Sequence, residues 1–342
     1  MHMADALLSP AVALAMDAVA LASIGVSVRR IKNDEFCEKK IPIMGVAGAM
    51  VFAGQMINFA IPATGSSGHI GGGILLAGLL GGVPAFLSIA AVLIIQCIFF
   101  ADGGLLALGC NIFNIGVIPC LVMYPLVFKP ILKGRAGYRR LTVASIVSAI
   151  LGLGLGAFCV VLQTLFSGIT ELPFGAFSAL MLPLHIAIGL VEGVVTAAVL
   201  CFVYKMRPEI IDSVVTGEGL GGVSTKKVLV LLAALTIVVG GALSLAASAS
   251  PDGLEWAIGK TSSITLDEET VIEARGAIFE KAANAQESAA ILPDYSFPSD
   301  PDNAAGTSVS GIIGASITFV LAGATGLVVS KMTKRKKAKA IG

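Results

Sequence analysis

IPIMGVAGAMVFAGQMINFAIPATGSSGHIGGGILLAGLLGGVPAFLSIAAVLIIQCIFFA, residues 41–101, contains no Asp, Glu, Lys or Arg over 61 positions. Soluble domains carry about a quarter of their residues charged, so such a run argues for lipid. Apolar stretches of about 20 residues cross a bilayer as helices, because lipid offers no partner to a free backbone N–H or C=O. The rest of the chain agrees: 342 residues are 56% hydrophobic and 13% charged, with a mean hydropathy of +0.91. The expected class is an all-α integral membrane protein. The same numbers argue against a globular cytosolic enzyme, a disordered chain and a nucleic-acid binder.

Apolar runs within and beyond this stretch predict helices over roughly 10–28, 41–60, 70–82, 84–101, 110–128, 141–168, 180–204, 228–247 and 309–330. The run 70–82 is short and Gly-rich, which suits a tilted or broken helix. Twenty of the 23 Lys and Arg fall in 29–40, 129–140, 205–227 and 331–339. Basic loops stay on the cytoplasmic side. Nine crossings place all four clusters inside, the N-terminus outside and the C-terminus in the cytoplasm. The basic tail Lys331–Lys339 then reads as an anchor on anionic lipid.

Segment 250–308 holds eleven of the 22 acids and three bases, a local charge of −8. It is expected outside, as a solvated insert. Residues 1–205 read as a seven-span bundle, and 228–342 as a two-span hairpin carrying that insert. The linker 206–227 contains Pro208 and a patch of Gly217, Gly219, Gly221 and Gly222, as expected at a boundary. The six cysteines, Cys37, Cys97, Cys110, Cys120, Cys159 and Cys201, mostly lie in or beside apolar runs. They read as small core residues rather than a disulfide framework. The first ten residues lack a basic region and Asp5 and Asp17 interrupt the apolar stretch, so no cleaved signal peptide is expected.

Chemistry has few carriers. There are three histidines. A terminal amine followed by His2 offers three nitrogens in fused chelate rings: the amine, the residue-2 amide and the imidazole. His69, on the same predicted side in a glycine-rich loop, would complete a plane. Planar nitrogen ligation suits Ni(II) and Cu(II). Taken singly, His2 and His69 also fit solvated loop residues. His185 and Glu192 share one helix face and fit either a functional pair or a structural hydrogen bond. Gln55 with Asn58, and Asn111 with Asn114, fit polar ties between helices; Asp17 is an intramembrane acid without an evident partner. Gly65–Gly68 also fits a short G-x-S-G pattern, with Ser67 as nucleophile and His185 as base of an intramembrane serine protease.

At these residues the chain resembles a known family. MHMADALLSP (1–10), VFAGQMINFAIPATGSSGHIGGG (51–73), FFADGGLLALGCNIFNIGV (99–117) and LPLHIAIGLVEG (182–193) look like the CbiM/NikM family, the substrate-capture components of cobalt and nickel energy-coupling-factor transporters. PDGLEW (251–256) resembles a PDGLE-type partner module, here fused. The resemblance implies that the Met1 amine, the His2 amide and imidazole, and His69 surround Ni(II) or Co(II). It implies that Gln55, Asn58, Ser67, Asn111 and Asn114 steady those ligands. It departs at Ala4-Asp5-Ala6, where members often have a Pro-Asp-Gly-like turn. It implies import across a bacterial or archaeal cell membrane with no catalysis and no resident cofactor. Energy would come from cytoplasmic ATPase subunits acting through a membrane coupling subunit. This chain has no G-x-x-x-x-G-K-[ST] phosphate loop of its own. The hairpin is expected to support metal loading.

Overall fold

Where charge is absent, the chain is helical. The structure, a computed structural model, describes residues 1–31, 37–169, 172–216, 225–265, 277–300 and 303–341. Its helices are α1 (Pro10–Ile31), α2 (Cys37–Gln55), α3 (Gly73–Leu80), α4 (Gly82–Phe100), α5 (Leu108–Leu132), α6 (Tyr138–Ser167) and α7 (Phe174–Met206). They continue with α8 (Pro208–Thr216), α9 (Lys226–Gly241), α10 (Gly253–Thr265), α11 (Ala277–Ala289) and α12 (Ala305–Ile341). Among the described residues, six are long and apolar enough to span a bilayer: α1, α4, α5, α6, α7 and Ala305–Ala324 of α12. The apolar part of α2 is shorter, Lys40–Gln55, and α9 has 16 residues.

The nine expected runs are therefore not nine long spanning helices among the described residues, and the run 70–82, expected as a tilted or broken helix, forms a half-helix. α3 has eight residues, about 12 Å at 1.5 Å per residue, against a hydrocarbon core of about 30 Å. Gly72 and Gly81 bracket it at φ 75° and 87°, a region that only glycine enters freely. Every residue of α3 is buried, so it is an internal half-helix against α4 and α5. The all-α membrane class holds, with one local exception. The segment expected to be the end of the 41–60 span and a glycine loop is a β-hairpin: β1 (Phe59–Ile61) pairs antiparallel with β2 (Ser66–Gly68), Phe59 opposite Gly68.

The second half of the chain packs onto the first. α12 lies against α2 so closely that a Cβ on Gly314 would sit 2.0 Å from the Phe52 ring. Small residues permit such backbone approach in lipid. The first part of the expected linker is α8, which buries Ile210, Ile211 and Val214. Tyr124 of α5 donates its hydroxyl to the Val214 carbonyl at 3.2 Å. The linker glycines Gly217, Gly219, Gly221 and Gly222, Lys32 of the first basic cluster and the side chains of the tail Lys331–Lys339 lie outside the described residues.

Candidate metal centre

The first residues fold inward as an extended strap between the α4–α5 loop and the body of the protein. Met1 is 7% and Met3 0% exposed. Asn111 at the start of α5 holds Met3 at both ends: its Oδ1 accepts the Met3 N–H at 2.7 Å, and its Nδ2 donates to the Met3 carbonyl at 3.3 Å. The Gly104 N–H donates to the same carbonyl at 2.8 Å. Asp5 accepts the Ala107 N–H at 2.9 Å. The approach requires glycine, since a Cβ on Gly104 would lie 1.9 Å from the Asp5 carboxylate. Asn114 exchanges hydrogen bonds with Gln163 and donates weakly to the Met3 sulfur at 3.8 Å. Asp17 accepts the Gly109 N–H at 2.9 Å, the partner the sequence did not name.

His69 leaves the end of β2, and buried side chains pin the chain just after it. Glu192 of α7 accepts the Gly71 and Gly72 N–H groups at 2.7 and 3.1 Å. Gln55 donates to the Gly71 carbonyl at 2.9 Å and accepts from Gln96 at 2.9 Å. The His69 Nδ1 lies 3.1 Å from the Ile70 carbonyl. An Nδ1–H donated there leaves the Nε2 lone pair free. The His2 and His69 rings meet with centroids 5.2 Å apart and planes 19° apart. The His2 Nε2 is buried without a hydrogen-bond partner. Its Nδ1 faces Asp102 at 3.3 Å, and Tyr295 donates its hydroxyl to the other Asp102 oxygen. The terminal ammonium donates to Asp252 Oδ2 at 3.0 Å.

Both imidazoles and these carboxylates line a cavity of about 820 Å³, bordered also by Asp5, Glu255 and Asp294, with no Lys or Arg among its described lining residues. Such a wall concentrates cations. Burial holds the His2 imidazole below its usual pKa, with Asp102 opposing. Burial, then the terminal ammonium and His2, push His69 down to about 4. Both rings are thus neutral near pH 7, the form that ligates metal. Burial alone would raise Asp252; the terminal ammonium and backbone N–H donors more than offset it and hold the carboxyl well below the ordinary range.

The structure brings together Met1, His2 and His69, with Gln55 and Asn111 hydrogen-bonded to the segments that carry them. Asn114 sits behind Met3. Asn58 lines the cavity with its Oδ1 unpartnered. Ser67 and His185 do not form a catalytic pair. Ser67 donates its hydroxyl to the Ser250 carbonyl at 2.7 Å, and His185 Nδ1 lies 2.8 Å from the Met181 carbonyl of its own helix. No hydrogen bond joins the two among the described residues. Sequence reasoning missed Asp102 and Asp252, and left Glu192 without a role. Both acids lie in stretches that carry the resemblance, Asp102 in 99–117 and Asp252 in PDGLEW, and Asp102 is also an isolated acid bounding the uncharged run.

The family model described as the cobalt uptake substrate-specific transmembrane region matches residues 2–210. The PDGLE domain model matches 226–331. A protein of Archaeoglobus fulgidus that carries the name fused nickel transport protein NikMN is 30% identical over 94% of this chain and 96% of its own length. A cobalt transport protein CbiM of Sorangium cellulosum is 29% identical over 62% of this chain and 95% of its own. The crystal structure of a truncated transition metal transporter superposes with a TM-score of 0.53 and 27% identity, covering 60% of this chain and 99% of that one.

Proposed function

This chain belongs to the CbiM family of cobalt uptake substrate-specific transmembrane regions, and from that premise we propose that it captures one Ni(II) or Co(II) ion through the Met1 amine, the His2 amide and imidazole, and His69. It is a multi-pass membrane protein, and its relatives are named as transport proteins rather than enzymes. The observation that carries the reading is the meeting of the two neutral histidines at 5.2 Å between centroids in the corner where Met1 is also buried. Rings in contact at that spacing lie close enough that a turn of each would aim one nitrogen at a shared ion.

The ion is cargo, and nothing is done to it chemically. The acidic cavity wall draws a hydrated cation in. Neutral imidazoles replace its waters, while the amine and the His2 amide give up protons to complete the plane. The amine leaves Asp252 and the His2 Nδ1 leaves Asp102 as they turn to the ion. In this reading the site faces outside, and release is inward. Cytoplasmic ATPase subunits and a membrane coupling subunit drive it in a bacterial or archaeal cell membrane. Planar nitrogen donors favour nickel over cobalt. Residues 1–205 would form the capture unit and 228–342 the fused partner.

Calorimetric titration of Ni(II) and Co(II) into protein with a native N-terminus tests this, alongside His2→Ala, His69→Ala and a variant extended by one residue before Met1. One-to-one binding lost in all three supports the site. Binding by the extended variant equal to the native protein would overturn it, because the amine would no longer adjoin His2.

A further inference from the structure

The terminal ammonium lies in a buried corner with a single ion-pair partner among the described residues, Asp252, 251 positions away. The side chains of Met1 and Asp252 are 6% and 18% exposed. A buried ammonium without an acceptor is costly, so something must hold it there before the ion arrives. The two Asp252 oxygens divide the work. Oδ1 accepts the Leu254 and Glu255 N–H groups, each at 2.8 Å, and so caps α10. Oδ2 takes the amine at 3.0 Å.

The turn that presents Asp252 is itself fixed to the His69 hairpin. The Ser67 N–H donates to the Pro251 carbonyl at 2.8 Å, and the Ser67 hydroxyl to Ser250. Gly253 packs so tightly on α7 that a Cβ there would sit 2.8 Å from Leu184 and 3.1 Å from the His185 ring. On the far side, Gln286 of α11 donates to the Gly103 carbonyl at 2.6 Å and so steadies the loop under the strap.

We propose that Asp252 is a positioning residue that tethers the terminal amine in the metal-free protein, so that the C-terminal half of the chain sets whether the first four residues are assembled for capture. This rests on the capture reading for its purpose, and on the amine–carboxylate geometry alone for its existence. The tether releases the amine when an ion replaces it as partner, and it is not itself a ligand.

Asp252→Asn is the informative variant. It keeps an oxygen for the cap and turns an N–H₂ donor towards the ammonium. Asp252→Ser keeps a capping oxygen and cannot reach the amine. Intact mass first establishes that Met1 is retained and unmodified. Hydrogen exchange of the metal-free full chain is then followed at Met3 and Gly104, whose N–H groups close the strap. Both variants should exchange there about tenfold faster, with α10 still protected. Nickel association, followed by stopped flow, should slow by about tenfold while stoichiometry stays at one. Unchanged protection at Met3 and Gly104 in Asp252→Asn would overturn the tether. If the native protein binds no nickel while the variants lose strap protection, the capture reading fails and the tether stands.

Discussion

Two corners of the molecule bury a histidine with an unpartnered Nε2, and they differ in what surrounds it. His2 sits on an acidic cavity with His69 stacked at 5.2 Å, and its own Nδ1 is turned to Asp102. His185 sits within α7, its Nδ1 bonded back to Met181, 1% exposed and under the Gly253 turn. A buried imidazole becomes an ion ligand only where other lone pairs converge on it and a cation has a path. His2 opens on the acidic cavity. His185 meets Met1, His69 and Asp252 only across a void of about 10 Å³, which leaves no room for a hydrated ion, and its ring packs under Gly253.

The contrast breaks first at Gly104. Gly104→Ala places a Cβ 1.9 Å from the Asp5 carboxylate and 2.4 Å from its backbone nitrogen. Backbone does not yield that far, so the strap should be expelled and nickel binding lost in a calorimetric titration of folded protein. Asn111→Ala should come next. It orphans the buried Met3 N–H and leaves the Met3 carbonyl to the Gly104 N–H alone, and metal affinity should fall by about 10- to 100-fold. Glu192→Gln keeps one acceptor for the Gly71 and Gly72 N–H groups and offers a donor where the other stood. Affinity should drop by about tenfold or less, through His69 and not through the amine. Strap exchange at Met3 should therefore stay native.

The second corner predicts smaller effects of another kind. His185→Ala should leave nickel affinity near native and lower the melting temperature, since removing a fully buried ring costs about 2 kcal/mol or more. Ser67→Ala should cost about 1 kcal/mol, the worth of one hydrogen bond to Ser250, and slow nickel association less than Asp252→Asn does, because the Ser67 N–H still holds Pro251. Loss of nickel binding in His185→Ala would erase the distinction between the corners.

Some of this was legible in one dimension. Uncharged runs predicted helices at α1, α4, α5, α6, α7 and α12 because lipid solvation depends on local composition alone. The run at 70–82 was legible as a tilted or broken helix, but hydropathy does not register that Gly72 and Gly81 turn the chain at both ends of α3. Asn111 and Gln55 were visible as polar residues in apolar surroundings, whereas Asn58 was visible for the same reason and has no side-chain partner at Oδ1.

By itself the sequence determined that the protein lives in a membrane and which nitrogens it offers to a cation: an amine next to His2, and His69 among glycines. Only the tertiary structure decided that these groups share a corner, that Asp102 and Asp252 face them, and that Glu192 grips the loop behind His69. The physical reason is range. Hydropathy and chelate-ring geometry are properties of neighbours in the chain. A contact between Met1 and Asp252 exists only because α12 packs on α2 and the turn before α10 packs on α7, and no local pattern encodes that closure.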